Sequence, residues 1–177
     1  MRLILLAPGE ADDEKERAKW SFYTAKMDVH YVGRAFPGSA IYFPHVDSCI
    51  ALVFKLKGGS VVGGHAGVFY FYKNKSLDPG LPSLIKVLKD MKAECAGQAI
   101  SEVYAIGNTK DWEGNVELEI KKQCPGSAVT VKDKTPVNIV VDIGVTSSKI
   151  LVYDWVKNED SAKWMYGSKN PANTFTM

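Results

Sequence analysis

The sequence predicts a single α+β domain, a layered β-sheet or sandwich with two main helices. Three observations predict it. Runs rich in β-branched and aromatic residues recur over 29–43, 45–72 and 137–155. An apolar stripe at helical spacing lies between them. No internal repeat or low-complexity linker divides the 177 residues, which suffice for one domain with a real core.

Each element follows from its own residues. The five-residue apolar run of "MRLILLAPGE" stops at Pro8 and is too short for the apolar region of a signal peptide. Residues 10–27, "EADDEKERAKWSFYTAKM", begin acidic and turn basic, as a helix dipole favours, with Trp20, Tyr23 and Met27 at helical spacing. This is an extra N-terminal helix. From Val29 to Phe43 the chain is β-prone and interrupted by a turn at "FPGS". "HVDSCIALVFKLKGGSVVGGHAGVFYFY" reads as two strands meeting at Lys57-Gly58-Gly59-Ser60. In "SLDPGLPSLIKVLKDMKAECAG", Leu84, Val87, Leu88 and Met91 form one helix face and Gly97 caps its end. "ISEVYAIGN" is a strand ending at Gly107-Asn108, and "VELEIKKQC" a second helix closed by Pro125-Gly126. "VNIVVDIGVTSSKILVYDW" gives two β-rich runs about a turn, and "GSKNPANTFTM" a loose polar tail.

At 46% hydrophobic and 24% charged residues, with net charge +2, composition gives no general case for nucleic acid or an acidic membrane as partner. No apolar stretch is long enough to span a bilayer. Cys49, Cys95 and Cys124 match no disulfide framework or zinc site, which fits a reducing cytoplasm. No metal or organic cofactor is implied.

The hairpin carries the candidate chemistry. Cys49, Ala51 and Val53 share one strand face, and Val61, Gly63, His65 and Gly67 share one on the returning strand. A two-residue turn at Gly58-Gly59 pairs Cys49 with Val68 and sends Cys49 and His65 to opposite faces. A three-residue loop, or a bulge at Gly63-Gly64, shifts the register by one and puts them diagonally on the same face. Glycines flanking the histidine leave space where a strand normally places Val or Ile. A histidine beside a thiol can take its proton, and the thiolate attacks a carboxamide or ester carbonyl. A buried strand cysteine with a satisfied histidine gives the same pattern, and the hairpin alone does not choose. His45 is an alternative base, while His30, Cys95, Cys124, Asp142 and Asp154 have ordinary structural readings.

"DSCIALVFKLKGGSVVGGHAGVF" resembles the core of the CheD family of chemoreceptor glutamine deamidases, in which a Gly-Ser-Cys strand precedes a Gly-Gly-x-x-His strand. The helix, "VYAIGNT", the second helix and "VVDIGVTSSKILVYDW" follow in that family's order, so the resemblance covers about residues 29–157. The same core is shared with the cytotoxic necrotizing factor toxins. The resemblance implies a protein-glutamine deamidase with Cys49 as nucleophile and His65 as general base and acid, acting on a protein with an exposed glutamine. It implies residues 1–28 as a helical extension, 29–157 as the deamidase-like domain and 158–177 as a tail. It also implies a cytoplasmic protein, or one delivered into another cell. Two positions depart from the family: Asp47 replaces the glycine before Ser48, and its threonine six residues before the cysteine falls on Phe43. Ser48, Asp47 or a backbone carbonyl is left to orient the histidine, backbone N–H donors around Ser48-Cys49 would serve the oxyanion, and Gly63, Gly64 and Gly67 line the pocket. A catalytically inactive relative serving as a binding module is the alternative. "IVVDIGVTSSKILVYD" also resembles the phosphate hairpin of sugar kinases and actin-like ATPases, a reading set aside because only twenty-three residues follow Asp154.

Overall fold

The structure is a computed structural model that describes residues 3–5, 32–67, 71–72, 75–76, 81–110, 112, 114–135, 137–157, 164–166 and 172–177. Its strands are β1 (Leu3–Leu5), β2 (Val32–Ala35), β3 (Ser39–Val46), β4 (Ile50–Leu56), β5 (Val61–Ala66), β6 (Phe71–Tyr72), β7 (Lys75–Ser76), β8 (Ile100–Gly107), β9 (Ala128–Asp133), β10 (Val137–Ile143), β11 (Ser148–Lys157), β12 (Trp164–Tyr166) and β13 (Asn173–Thr176). The described helices are α1 (Leu81–Glu94) and α2 (Val116–Gln123). The class is therefore α+β, with mixed sheets. Among the described residues no helix is long and apolar enough to cross a membrane. The helix expected over 10–27, along with His30, lies outside the described residues.

One sheet runs β1-β3-β10-β11-β12, with β13 also on β11, and the other runs β2-β5-β4-β8-β9; β6 pairs with β7. Alternation along β4 sorts its side chains between two cores. Ala51 and Val53 join Ile41, Phe43, Ile139, Val141, Ile150 and Val152 of the first sheet in a buried cluster shared by both sheets. Ile50, Leu52, Phe54 and Leu56 face the other way, onto Leu84, Val87, Leu88 and Met91 of α1 and Val116 and Ile120 of α2. The expected α1 stripe is buried in full. Each such side chain contributes about 1.5–3 kcal/mol relative to an exposed one. Gly97, at φ +80°, ends the turn that follows α1.

α2 is built from its sequence in the same way. The Asn115 side chain accepts from the Leu118 N–H, Glu117 and Glu119 occupy the first turn, and Lys121 and Lys122 the last.

Two findings at the chain ends differ from expectation. Leu3–Leu5, in the segment read as an extension, lies parallel to β3 with Leu3 beside Ala40. In the tail, Asn173–Thr176 pairs antiparallel with β11, and Phe175 packs against the cluster between the sheets. Polar composition concealed that strand: its exposed positions alternate with partly buried ones, as on a sheet edge.

Candidate functional site

The β4–β5 hairpin closes through the three residues Lys57-Gly58-Gly59. The Leu56 N–H donates to the Ser60 carbonyl and the Gly59 N–H to the Leu56 carbonyl, each at 3.0 Å. Gly59 sits at φ +80°, where a side chain is strained. This loop fixes the register: Lys55 opposes Val61, Val53 opposes Gly63 and Ala51 opposes His65, without a bulge at Gly63-Gly64. Of the two arrangements open to the sequence, the structure has the three-residue one. Cys49 stands two residues before Ala51, in the bend just ahead of β4, and Gly67 lies just past the end of β5.

The Ala51 side of β4 faces the first sheet. The His65 imidazole is buried, 6% exposed, and meets the Phe43 ring of β3 at 6.4 Å between centroids and 62° between planes. Cys49 is half-buried and its thiol is free of disulfide. Gly64 points the opposite way. A Cβ there would lie 2.5 Å from Met91 Sδ and 2.8 Å from Val87 Cγ1, so this glycine lets α1 approach β5 and does not line space beside His65. This corrects its assignment to the pocket. Gly63 stands two residues from His65 in β5, and the Ser83 hydroxyl of α1 donates to the carbonyl of Gly67, just past that strand, at 2.5 Å.

Asp47, Ser48 and Cys49 form a bend between β3 and β4, and successive carbonyls there are held from outside the hairpin. Thr135 Oγ1 donates to the Val46 and Asp47 carbonyls at 3.2 and 2.5 Å. The Trp112 indole N–H donates to the Ser48 carbonyl at 3.1 Å. The Asn108 N–H donates to the Cys49 carbonyl at 3.1 Å. Gly107, at φ +145°, allows that approach, since a Cβ on it would collide with the Cys49 carbonyl oxygen. The Asn108–Lys110 segment is anchored in turn by Asp133, whose Oδ1 accepts from the Thr109 and Lys110 N–H groups. The Lys110 ammonium and the Thr109 N–H hold the Asp133 carboxyl below the usual carboxylate range.

Ser48 Oγ lies 4.0 Å from Cys49 Sγ, and Asp47 Oδ1 lies 3.5 Å from Thr135 Oγ1. His45 belongs to β3, where only its backbone is described. Cys95 and Cys124 are buried at the C-terminal ends of α1 and α2, and burial raises both thiols, Cys124 to about 11. Far from Cys49, near the closed end of the hairpin, Lys55 Nζ lies 2.6 Å from Glu102 Oε1 and Tyr104 Oη donates to Glu102 Oε2 at 2.5 Å.

Trp112 and Thr135 were not singled out by sequence, and Asn108 only as the end of a strand. Trp112 is 64 and Thr135 88 residues from its partner in the bend, so no local spacing could reveal them.

Comparison with protein-family models finds no match, and comparison with curated proteins finds none either. Among solved structures, the chain is similar to the C-terminal domain of CNFy from Yersinia pseudotuberculosis, with 7% sequence identity and a TM-score of 0.43. The similarity covers 78% of this chain and 53% of that one, so the chain spans about half the length of that solved structure.

Proposed function

We propose that the protein is a cysteine-dependent amidohydrolase that converts glutamine side chains of a target protein to glutamate. The observation that supports this reading is the hairpin register, which sets His65 directly across from Ala51, two residues along the chain from Cys49. In the proposed mechanism Cys49 Sγ loses its proton to His65 and adds to the carboxamide carbon. The tetrahedral intermediate collapses as ammonia departs with the proton from His65, leaving a thioester on Cys49. Water, deprotonated by His65, then attacks the thioester carbonyl; the new acid leaves and the thiol is restored. The balance is one amide and one water to one acid and one ammonia.

A specific observation favours a second reading. Phe43 stands beside His65 at the position where the resemblance implies a threonine, and a phenyl edge cannot accept a hydrogen bond from the imidazole as a hydroxyl does. A hairpin retained without catalysis would make the protein a binding module.

Intact mass spectrometry of candidate partner proteins decides between them. Conversion raises the partner's mass by about one dalton per glutamine, with the wild type but not with Cys49→Ser. A partner that binds yet keeps its mass, alongside a Cys49 no more reactive than the buried thiols, overturns the enzymatic reading.

A further inference from the structure

Trp112 is 4% exposed and packs on the helix side of the second sheet, among Ile50, Val116 and Ile120. Its indole N–H takes the Ser48 carbonyl, so that carbonyl points toward the helix layer. Across a trans peptide the following N–H points opposite to the carbonyl. The amide of Cys49 is thereby directed away from the helices, toward the layer between the sheets where Ala51 and His65 lie. Neighbouring peptides are fixed as well, by Thr135 on the Val46 and Asp47 carbonyls and by the Asn108 N–H on the Cys49 carbonyl. The bend therefore cannot readily rotate its peptide planes.

We infer that Trp112 is a positioning residue that aims the Cys49 backbone N–H at the oxyanion formed when the Cys49 thiolate adds to a carbonyl. The inference deepens the amidohydrolase reading and rests on it for the identity of the nucleophile. Its physical content is preorganisation: a donor fixed before reaction needs no reorganisation as charge develops on oxygen. A tryptophan suits the task because its single polar atom is a donor, and its ring is locked by packing.

Two reactions of the same thiol separate this role from a structural one. Acylation of Cys49 by p-nitrophenyl acetate passes through a tetrahedral oxyanion before p-nitrophenolate leaves. Alkylation by iodoacetamide displaces iodide from carbon and forms no oxyanion. Both need the thiolate, so their ratio isolates the oxyanion step, with Cys49→Ser protein supplying the background. Trp112→Phe keeps an aromatic ring and removes the donor. A benzothiophene amino acid at position 112 keeps the full ring shape and also lacks the N–H, which covers the case in which Trp112→Phe folds poorly. The expected result is a fall of about tenfold or more in the acylation-to-alkylation ratio in the donor-less proteins, with the alkylation rate retained. An unchanged ratio overturns the inference, as does a wild-type acylation rate no higher than the Cys49→Ser background. The measurement uses no glutamine substrate, so a failure of the deamidase reading, seen by mass spectrometry, is separable from a failure here.

Discussion

The ring of Phe43 and the imidazole of His65 meet edge to face across the two sheets, with centroids 6.4 Å apart. Phe43 comes from β3 and His65 from β5, and Phe43 is fully buried. The aromatic wall thus packs against one side of the imidazole.

Phe43→Ala is expected to cost about 3–5 kcal/mol, the range for emptying a buried aromatic site. Phe43→Leu should retain a folded protein while letting the His65 ring turn. Calorimetry gives the stability, and Cys49 alkylation at neutral pH reads the loss of the histidine's fixed position as a slower rate in Phe43→Leu.

Cys49 is expected to react with iodoacetamide faster than Cys95 or Cys124. Burial holds those two thiols in the protonated form, with Cys124 at about 11, whereas Cys49 is partly exposed. Peptide mapping over time measures the three rates in one sample. His65→Ala should slow Cys49 alone, and equal rates at all three sites would remove the basis for a Cys–His pair.

Gly64→Ala should destabilise the protein by about 1–3 kcal/mol, because the new methyl meets Met91 Sδ and the stiff Val87 side chain well inside contact distance. Met91→Ala in the same chain should recover only part of that loss, since Val87 still stands 2.8 Å from the added carbon. Denaturant midpoints of the single and double variants report it, and full additivity would argue against the clash.

Stability should fall as pH rises above about 9. Burial, and then the hydrogen bond to Glu102, raise the Tyr104 phenol above its ordinary 10, and burial raises Cys124 from 9.0 to about 11. In that range the unfolded chain gives up these protons while the folded chain keeps them, so alkali favours unfolding. Cys124→Ala should flatten the loss between about pH 9 and 11. At the acid end the sign reverses. The hydrogen bond from Lys55, and then that from Tyr104, hold Glu102 below 4.5, and its contribution disappears as pH drops beneath that value. Urea titrations across pH give both limbs.

Much of this architecture was legible because it is written in short-range pattern. Leu84, Val87, Leu88 and Met91 repeat at helical spacing and all end buried against the sheet. "FPGS" divides β2 from β3, and Gly107 ends β8. The hairpin was visible as two runs about Gly58-Gly59, yet its register was not, since a loop of two or three residues satisfies the same letters. Gly64 was misplaced for a related reason: a glycine removes steric bulk, and sequence does not say whether a ligand or a helix fills the gap. Long-range partners left no trace at all. Thr135 and Trp112 are ordinary loop residues until the fold brings them to the bend at Asp47 and Ser48.

The pairing of β3 with β10 has a consequence for when the site comes into being. Ile41 pairs with Val141 and Val137 with Val46, and Thr135 stands two residues ahead of Val137. A chain emerging from the ribosome thus carries the Asp47 bend, with its neighbouring thiol, through 88 further residues before the hydroxyl that secures it exists. Closing so distant a contact is slow compared with forming the hairpin or either helix. Chemical competence of the thiol should consequently be acquired only after the hairpin has formed, and nascent chains halted before Thr135 should have a hairpin whose nucleophile bend is not yet set.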